Sequence, residues 1–69
     1  MGGLKMTHVE MASKQFAGRP IKIRNGESGT LVSLSCNQMN QHPSYWTAKI
    51  LTDEGDTIYW NYQDTYYLD

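Results

Sequence analysis

The side chains of this chain with most to offer a partner are Tyr45, Tyr59, Tyr62 and Tyr67. Aromatic residues concentrate in interface cores because they bury large area at low entropic cost. A set of them converging on one point can also hold a cation over its rings. Arg19, Lys22 and Arg24, joined by Lys49, form a second set. Cations beside stacking aromatics are the chemistry of single-stranded nucleic-acid binding, which weakens steeply with salt.

No catalytic constellation accompanies them. His8 and His42 have no partner at a metal-ligand spacing, and one cysteine with two histidines does not make four ligands without acidic help. Ser28, Ser33 and Ser35 have no histidine or lysine near them in sequence to act as a base. Asp53, Glu54 and Asp56 lack the twelve-residue frame and terminal glutamate of a calcium loop, and read as a solvated turn. Cys36 falls on an apolar strand face, where a free thiol behaves as a small hydrophobe. The residues therefore predict no enzyme, no cofactor and no metal.

Composition bounds what holds these groups. A chain of 69 residues is one domain, and at about this size folding buries only about 60% of the unfolded surface. With Cys36 alone no disulfide forms within the chain, so the core must come from its aliphatic residues, two tryptophans, five tyrosines and one phenylalanine. The formal net charge of −1 argues against binding a polyanion by bulk charge. Cations cluster early, with Lys5, Lys14, Arg19, Lys22 and Arg24 against Glu10 and Glu27. Acids cluster late, with Asp53, Glu54, Asp56, Asp64 and Asp69 against Lys49. No membrane span or secretory h-region is visible, so a cytoplasmic location is expected.

The elements that must position these residues are mostly strands. Thr7-His8-Val9-Glu10 matches a capping box, so residues 1–15 read as a leader or short helix, helical over 8–14 or disordered, with Leu4, Val9, Ala12 and Phe16 as its apolar face. Pro20 to Arg24 alternates with Ile21 and Ile23 inward. Asn25 to Gly29 is a turn, and Thr30 to Cys36 resumes alternation, with Val32, Leu34 and Cys36 on one face and Leu31 on the other. Asn37 to Ser44 is the longest loop. A three-residue loop Asp53-Glu54-Gly55 then pairs Thr52 with Asp56, Ile50 with Ile58 and Ala48 with Trp60. That register puts Trp46, Ala48, Ile50, Ile58 and Trp60 on the core face. A shift by one residue would bury Lys49. Tyr66 and Leu68 are expected to close the structure from the last strand, with Tyr45, Tyr59 and Tyr67 outward.

The sum is an all-β fold over residues 16–69, a small five-stranded, partly open barrel. Gly18-Arg19-Pro20-Ile21-Lys22-Ile23, the glycine turn from Gly26 and Gly29 into Val32, Trp46 to Ile50, and Asp64-Thr65-Tyr66-Tyr67-Leu68 together resemble a Src-homology-3-like barrel of the kind found in Tudor, KOW and bacterial accessory domains. The resemblance covers about residues 16 to 69. It implies a binding module. KOW segments use a basic loop at their glycines, whereas this turn carries Glu27 and no lysine; Tudor readers use an aromatic cage, for which Tyr45, Tyr59, Tyr62 and Tyr67 are the available rings. Plasmid-type dihydrofolate reductases, built from similar barrels, carry glutamine-isoleucine-tyrosine where this chain has Thr57-Ile58-Tyr59, so the positioning glutamine is missing.

The expected function is a non-enzymatic protein-binding module, a small regulator or inhibitor that docks on a larger intracellular protein through Tyr45, Tyr59, Tyr62 and Tyr67. Brevity and the candidate start residues Met1, Met6 and Met11 suit a bacterial, phage or mobile-element accessory protein. The alternatives are a single-stranded nucleic-acid binder using Arg19, Lys22, Arg24 and Lys49, and a homo-oligomer assembled through strand edges.

Overall fold

The computed structural model describes residues 7–37 and 42–69. It contains helix α1 (His8–Phe16) and strands β1 (Pro20–Ile23), β2 (Ser28–Cys36), β3 (Trp46–Thr52), β4 (Thr57–Asn61) and β5 (Thr65–Tyr67). Two 3-10 turns, Pro43–Tyr45 and Tyr62–Asp64, lead into β3 and β5. The strands make one open antiparallel sheet in the order β4-β3-β2-β1-β5. None of its helices is long and apolar enough to cross a membrane, among the described residues.

The β3–β4 hairpin has the register that its loop chemistry predicts. Ile50 opposes Ile58 and Ala48 opposes Trp60. The Thr52 amide donates to the Asp56 carbonyl at 2.7 Å and the Gly55 amide to the Thr52 carbonyl at 2.9 Å, with Gly55 at φ 97° in the left-handed region that glycine enters without a Cβ penalty. Ile21, Ile23, Leu31, Leu34, Trp46, Ala48 and Ile50 form the core, with Val9 of α1.

Strand β2 departs from simple alternation. Leu31 is fully buried and Val32 is 41% exposed, the reverse of the expected faces. The reason lies in the pairing with β3, where Leu31 opposes Ile50 but Ser33 opposes Lys49. Val32 is the extra residue of a β-bulge. One added residue moves every side chain before it to the opposite face from that which alternation backward from Leu34 requires. Leu34 stays buried and Cys36 remains half-buried against the core, as expected.

Helix α1 forms because both arms of its capping box close. The Glu10 amide donates to Thr7 Oγ1 at 3.2 Å, and the Thr7 amide donates to Glu10 Oε1 at 3.1 Å. The helix runs to Phe16 and is docked: Val9 is buried, Ala12 and Phe16 pack on the core, and Ser13 Oγ accepts from the Leu34 amide at 2.9 Å. Leu4 lies outside the described residues. β2 is nine residues long while β1 pairs with only its first part, so α1 covers the edge that β1 leaves open.

The last strand also reverses its expected faces. Tyr67 opposes Ile21 and shares its inward face, whereas Tyr66 opposes Lys22 and points outward, 45% exposed. Leu68 is exposed as well, and its amide donates to the Pro20 carbonyl at 3.0 Å. Tyr67 faces inward because Tyr62, Phe16 and Arg19 build a socket for it, which the sequence pattern does not contain.

Candidate protein-binding edge and cleft

The four tyrosines do not form one face. Tyr45 and Tyr59 are exposed, at 47% and 62%. Tyr62 and Tyr67 turn into the protein: their hydroxyls share a 2.8 Å hydrogen bond, Tyr62 packs on Trp46 with ring centroids 5.5 Å apart, and Tyr67 packs on Phe16 at 5.3 Å. Burial is the leading cause that pushes the Tyr67 phenol well above its ordinary range, followed by the bond to Tyr62. These two residues stabilise the fold, and an aromatic cage of the four tyrosines is not assembled.

The four cations are also dispersed. The Arg19 guanidinium lies 5.0 Å from the Phe16 ring centroid and 5.8 Å from that of Tyr67, a cation–π stack that uses it in packing. Lys22 stands on the outer face between Ser28 and Tyr66, and Lys49 on the same face between Ser33 and Tyr59, with β2 lying between the two lysine-bearing strands. Arg24 follows β1, its amide donating to the Asp64 carbonyl at 2.7 Å, and lines a cleft elsewhere. No continuous basic stripe results.

What the structure does bring together is β4 and the end of β1. β4 is an outer strand of the sheet and, among the described residues, no strand pairs with its far side. Because the Thr52 amide bonds the Asp56 carbonyl, ladder alternation gives Ile58 and Trp60 the bonds to β3. The backbone groups of Thr57, Tyr59 and Asn61 then point to the free edge. β4 reads Thr-Ile-Tyr-Trp-Asn, with no charge, proline or bulge of the kind that shields natural edges.

Beside this edge runs a cleft of about 530 Å³, lined by Thr57, Ile58, Tyr59 and Trp60 on one side and by residues 23–27 on the other. Trp60 shares the inward face with Ala48, as its register requires, yet it is 46% exposed. The sheet ends at β4, so among the described residues no further strand covers Trp60. Ile23 and half-buried Ile58 make the apolar floor, and Arg24 and Glu27 supply the polar wall. The periodicity places Trp60 on the core face; its exposure follows from β4 ending the sheet, which the sequence pattern does not mark.

Two of the residues weighed for chemistry in the sequence are engaged locally. Ser28 Oγ donates to Asp53 Oδ2 at 2.7 Å, and His42 Nδ1 accepts from the Ser44 amide at 3.2 Å as the cap of the 3-10 turn Pro43–Tyr45. Among the described residues no group of three or more His, Cys, Asp or Glu side chains is placed to hold a metal ion. Compared with protein-family models, with curated proteins and with solved structures, the chain matches none, so its function has to be read from its own geometry.

Proposed function

We propose that the protein is a non-enzymatic protein-binding module, a small regulator that docks on a larger intracellular protein, and that the docking site is the β4 edge with its neighbouring cleft. The observation that carries this reading is the coincidence of an unpaired, uncharged edge strand with a half-exposed tryptophan in a cleft alongside it. An extended segment added to such an edge gains main-chain hydrogen bonds for affinity and side-chain pockets for specificity. Exposed Tyr59 and Trp60 are the anchors, and Tyr45 lies outside the cleft lining.

The architecture that suits this role is the small, partly open barrel of Src-homology-3-like kind. Two features support it. One cleft is lined both by β4 and by residues 23–27 after β1, which are far apart in sheet order, so the sheet curls. A single 3-10 turn, Tyr62–Asp64, carries the chain between the two outer strands, and its Asp64 carbonyl accepts from the Arg24 amide.

The test is quantitative capture of the protein's binding partner by the full chain and by Tyr59→Pro, Trp60→Ala and Tyr45→Ala, each checked for native near-ultraviolet dichroism. Proline is tolerated at an edge position whose N–H faces solvent, so Tyr59→Pro removes the edge donor with least harm to the sheet. Capture lost in the first two variants and kept in the third supports the site. Capture insensitive to both Tyr59→Pro and Trp60→Ala places docking elsewhere.

A further inference from the structure

The cleft beside β4 does not end at Glu27. The same side chain also lines a second depression of about 190 Å³, shared with Ser28, Asp53 and Glu54. Asp56 immediately precedes β4 at the same end. Four carboxylates, Glu27, Asp53, Glu54 and Asp56, therefore gather where β4 begins, and among the described residues Arg24 is the one cation lining the cleft. All four belong to exposed residues. Asp53 accepts a hydrogen bond from Ser28, a neutral donor, so that contact leaves its charge uncompensated. At the other end, where β4 finishes at Asn61, the strand is neutral.

From this asymmetry we infer that the occupant of the β4 edge is an extended peptide segment of another protein, with alternating β-branched or aromatic residues that seat on Ile58 and Trp60 and with lysine or arginine at the end that lies against Glu27, Glu54 and Asp56. This inference rests on the reading of β4 as the docking edge and names its partner's chemistry. Complementary potentials across an interface fix register and speed encounter. The acidic rim therefore sets direction as well as composition. A segment added antiparallel to β4 meets the rim with its C-terminal end, so its basic residues follow its apolar ones. A second copy of this chain, added antiparallel, fits less well, since residues 62–69 that follow its β4 toward the rim carry no lysine or arginine.

The experiment is a selection from a displayed library of random peptides, about nine residues long to match an added strand, with the full chain as bait. Synthetic versions of the selected peptides are then titrated against the protein and its variants. The expected peptides alternate in β-forming residues and carry Lys or Arg at one end. Their affinity falls about tenfold, mostly in association rate, in the Glu27→Gln/Glu54→Gln double variant, and binding is lost in Tyr59→Pro. Trp60→Ala serves if the proline variant does not fold. Selected peptides that are neutral or acidic, or indifferent to the glutamine variant yet lost in Tyr59→Pro, overturn the cationic partner and leave the edge reading standing. Peptides indifferent to both edge variants overturn both. Failure to select any peptide overturns the inference, and a concentration-dependent dimer in sedimentation that Tyr59→Pro abolishes would then assign the edge to a second copy.

Discussion

The hydroxyls of Tyr62 and Tyr67 lie 2.8 Å apart, with their rings edge to face at 6.2 Å, and this pair ties the turn after β4 to the final strand. Two tyrosines that look like surface groups in the sequence are thereby committed to the interior. Tyr59 and Trp60, which precede them, are left exposed.

Alkaline sensitivity follows from that pair. The Tyr67 phenol titrates above its ordinary value in the folded protein, chiefly because burial opposes its charged form. The folded state thus holds this proton more tightly than the unfolded chain, and the associated stability is fully present below about pH 10 and is lost as pH rises through and beyond it. Tyr67→Phe is expected to cost about 0.5–1.5 kcal/mol at neutral pH through the lost hydrogen bond, while flattening the decline in alkali. Urea unfolding at pH 7 and above pH 10 measures both effects. An unchanged alkaline slope contradicts the assignment.

The bulge in β2 makes neighbouring aliphatic residues unequal. Leu31→Ala should cost about 2–5 kcal/mol, as for a filled core position, whereas Val32→Thr should stay within about 0.5 kcal/mol. Chemical denaturation of the two variants checks this. Strict alternation from Leu34 predicts the opposite order.

Gly29 sits where β2 meets the end of β3. A Cβ there would collide with the Leu51 carbonyl oxygen and stand 2.7 Å from Thr52 Cα, both backbone atoms that cannot swing aside. Gly29→Ala should cost on the order of 3 kcal/mol, the upper end of overpacking, and thermal unfolding would show it as a large fall in Tm. Gly55→Ala tests a different cost, since open space surrounds Gly55 and only its φ of 97° resists a side chain.

At the other end of the chain, Thr7→Ala should remove about 1 kcal/mol by opening the capping box. Backbone and side-chain hydrogen bonds from Thr7 hold the Glu10 carboxyl below its ordinary range. The stability this carboxylate adds is present above its unfolded pKa and is lost as pH falls through the lower folded value. Thr7→Ala keeps the backbone bond to Glu10 but loses the hydroxyl arm. Helix protection, followed by amide exchange at Met11 and Ala17, should therefore be lower at neutral pH and should decline less in acid than in the parent protein.

The hairpin was legible because Asp53-Glu54-Gly55 specifies its own loop type and because the wrong register would bury Lys49. The capping box was legible for the same local reason. Val32, Tyr66, Tyr67 and Leu68 were not, since a bulge changes parity without a composition signal and the Tyr67 socket is built from residues 16, 19 and 62, distant in sequence. Trp60 was assigned to the correct face, but its exposure depends on which strand ends the sheet, a property of topology rather than of its neighbours. Arg19 looked like part of a basic stripe until its stack on Phe16 and Tyr67 was visible. Of the proposed site, the exposure of Tyr59 is legible in the sequence, and the cleft beside it, which residues 23–27 complete, is not.

The most direct test of docking at β4 is hydrogen–deuterium exchange, resolved to single amides, at Thr57, Tyr59 and Asn61 in the free protein and in its partner complex. In the free protein these three amides should exchange much faster than those of Ile58 and Trp60, which bond to β3, and partner binding should slow Thr57, Tyr59 and Asn61 selectively. Unchanged exchange at all three in a saturated complex would contradict strand addition at this edge.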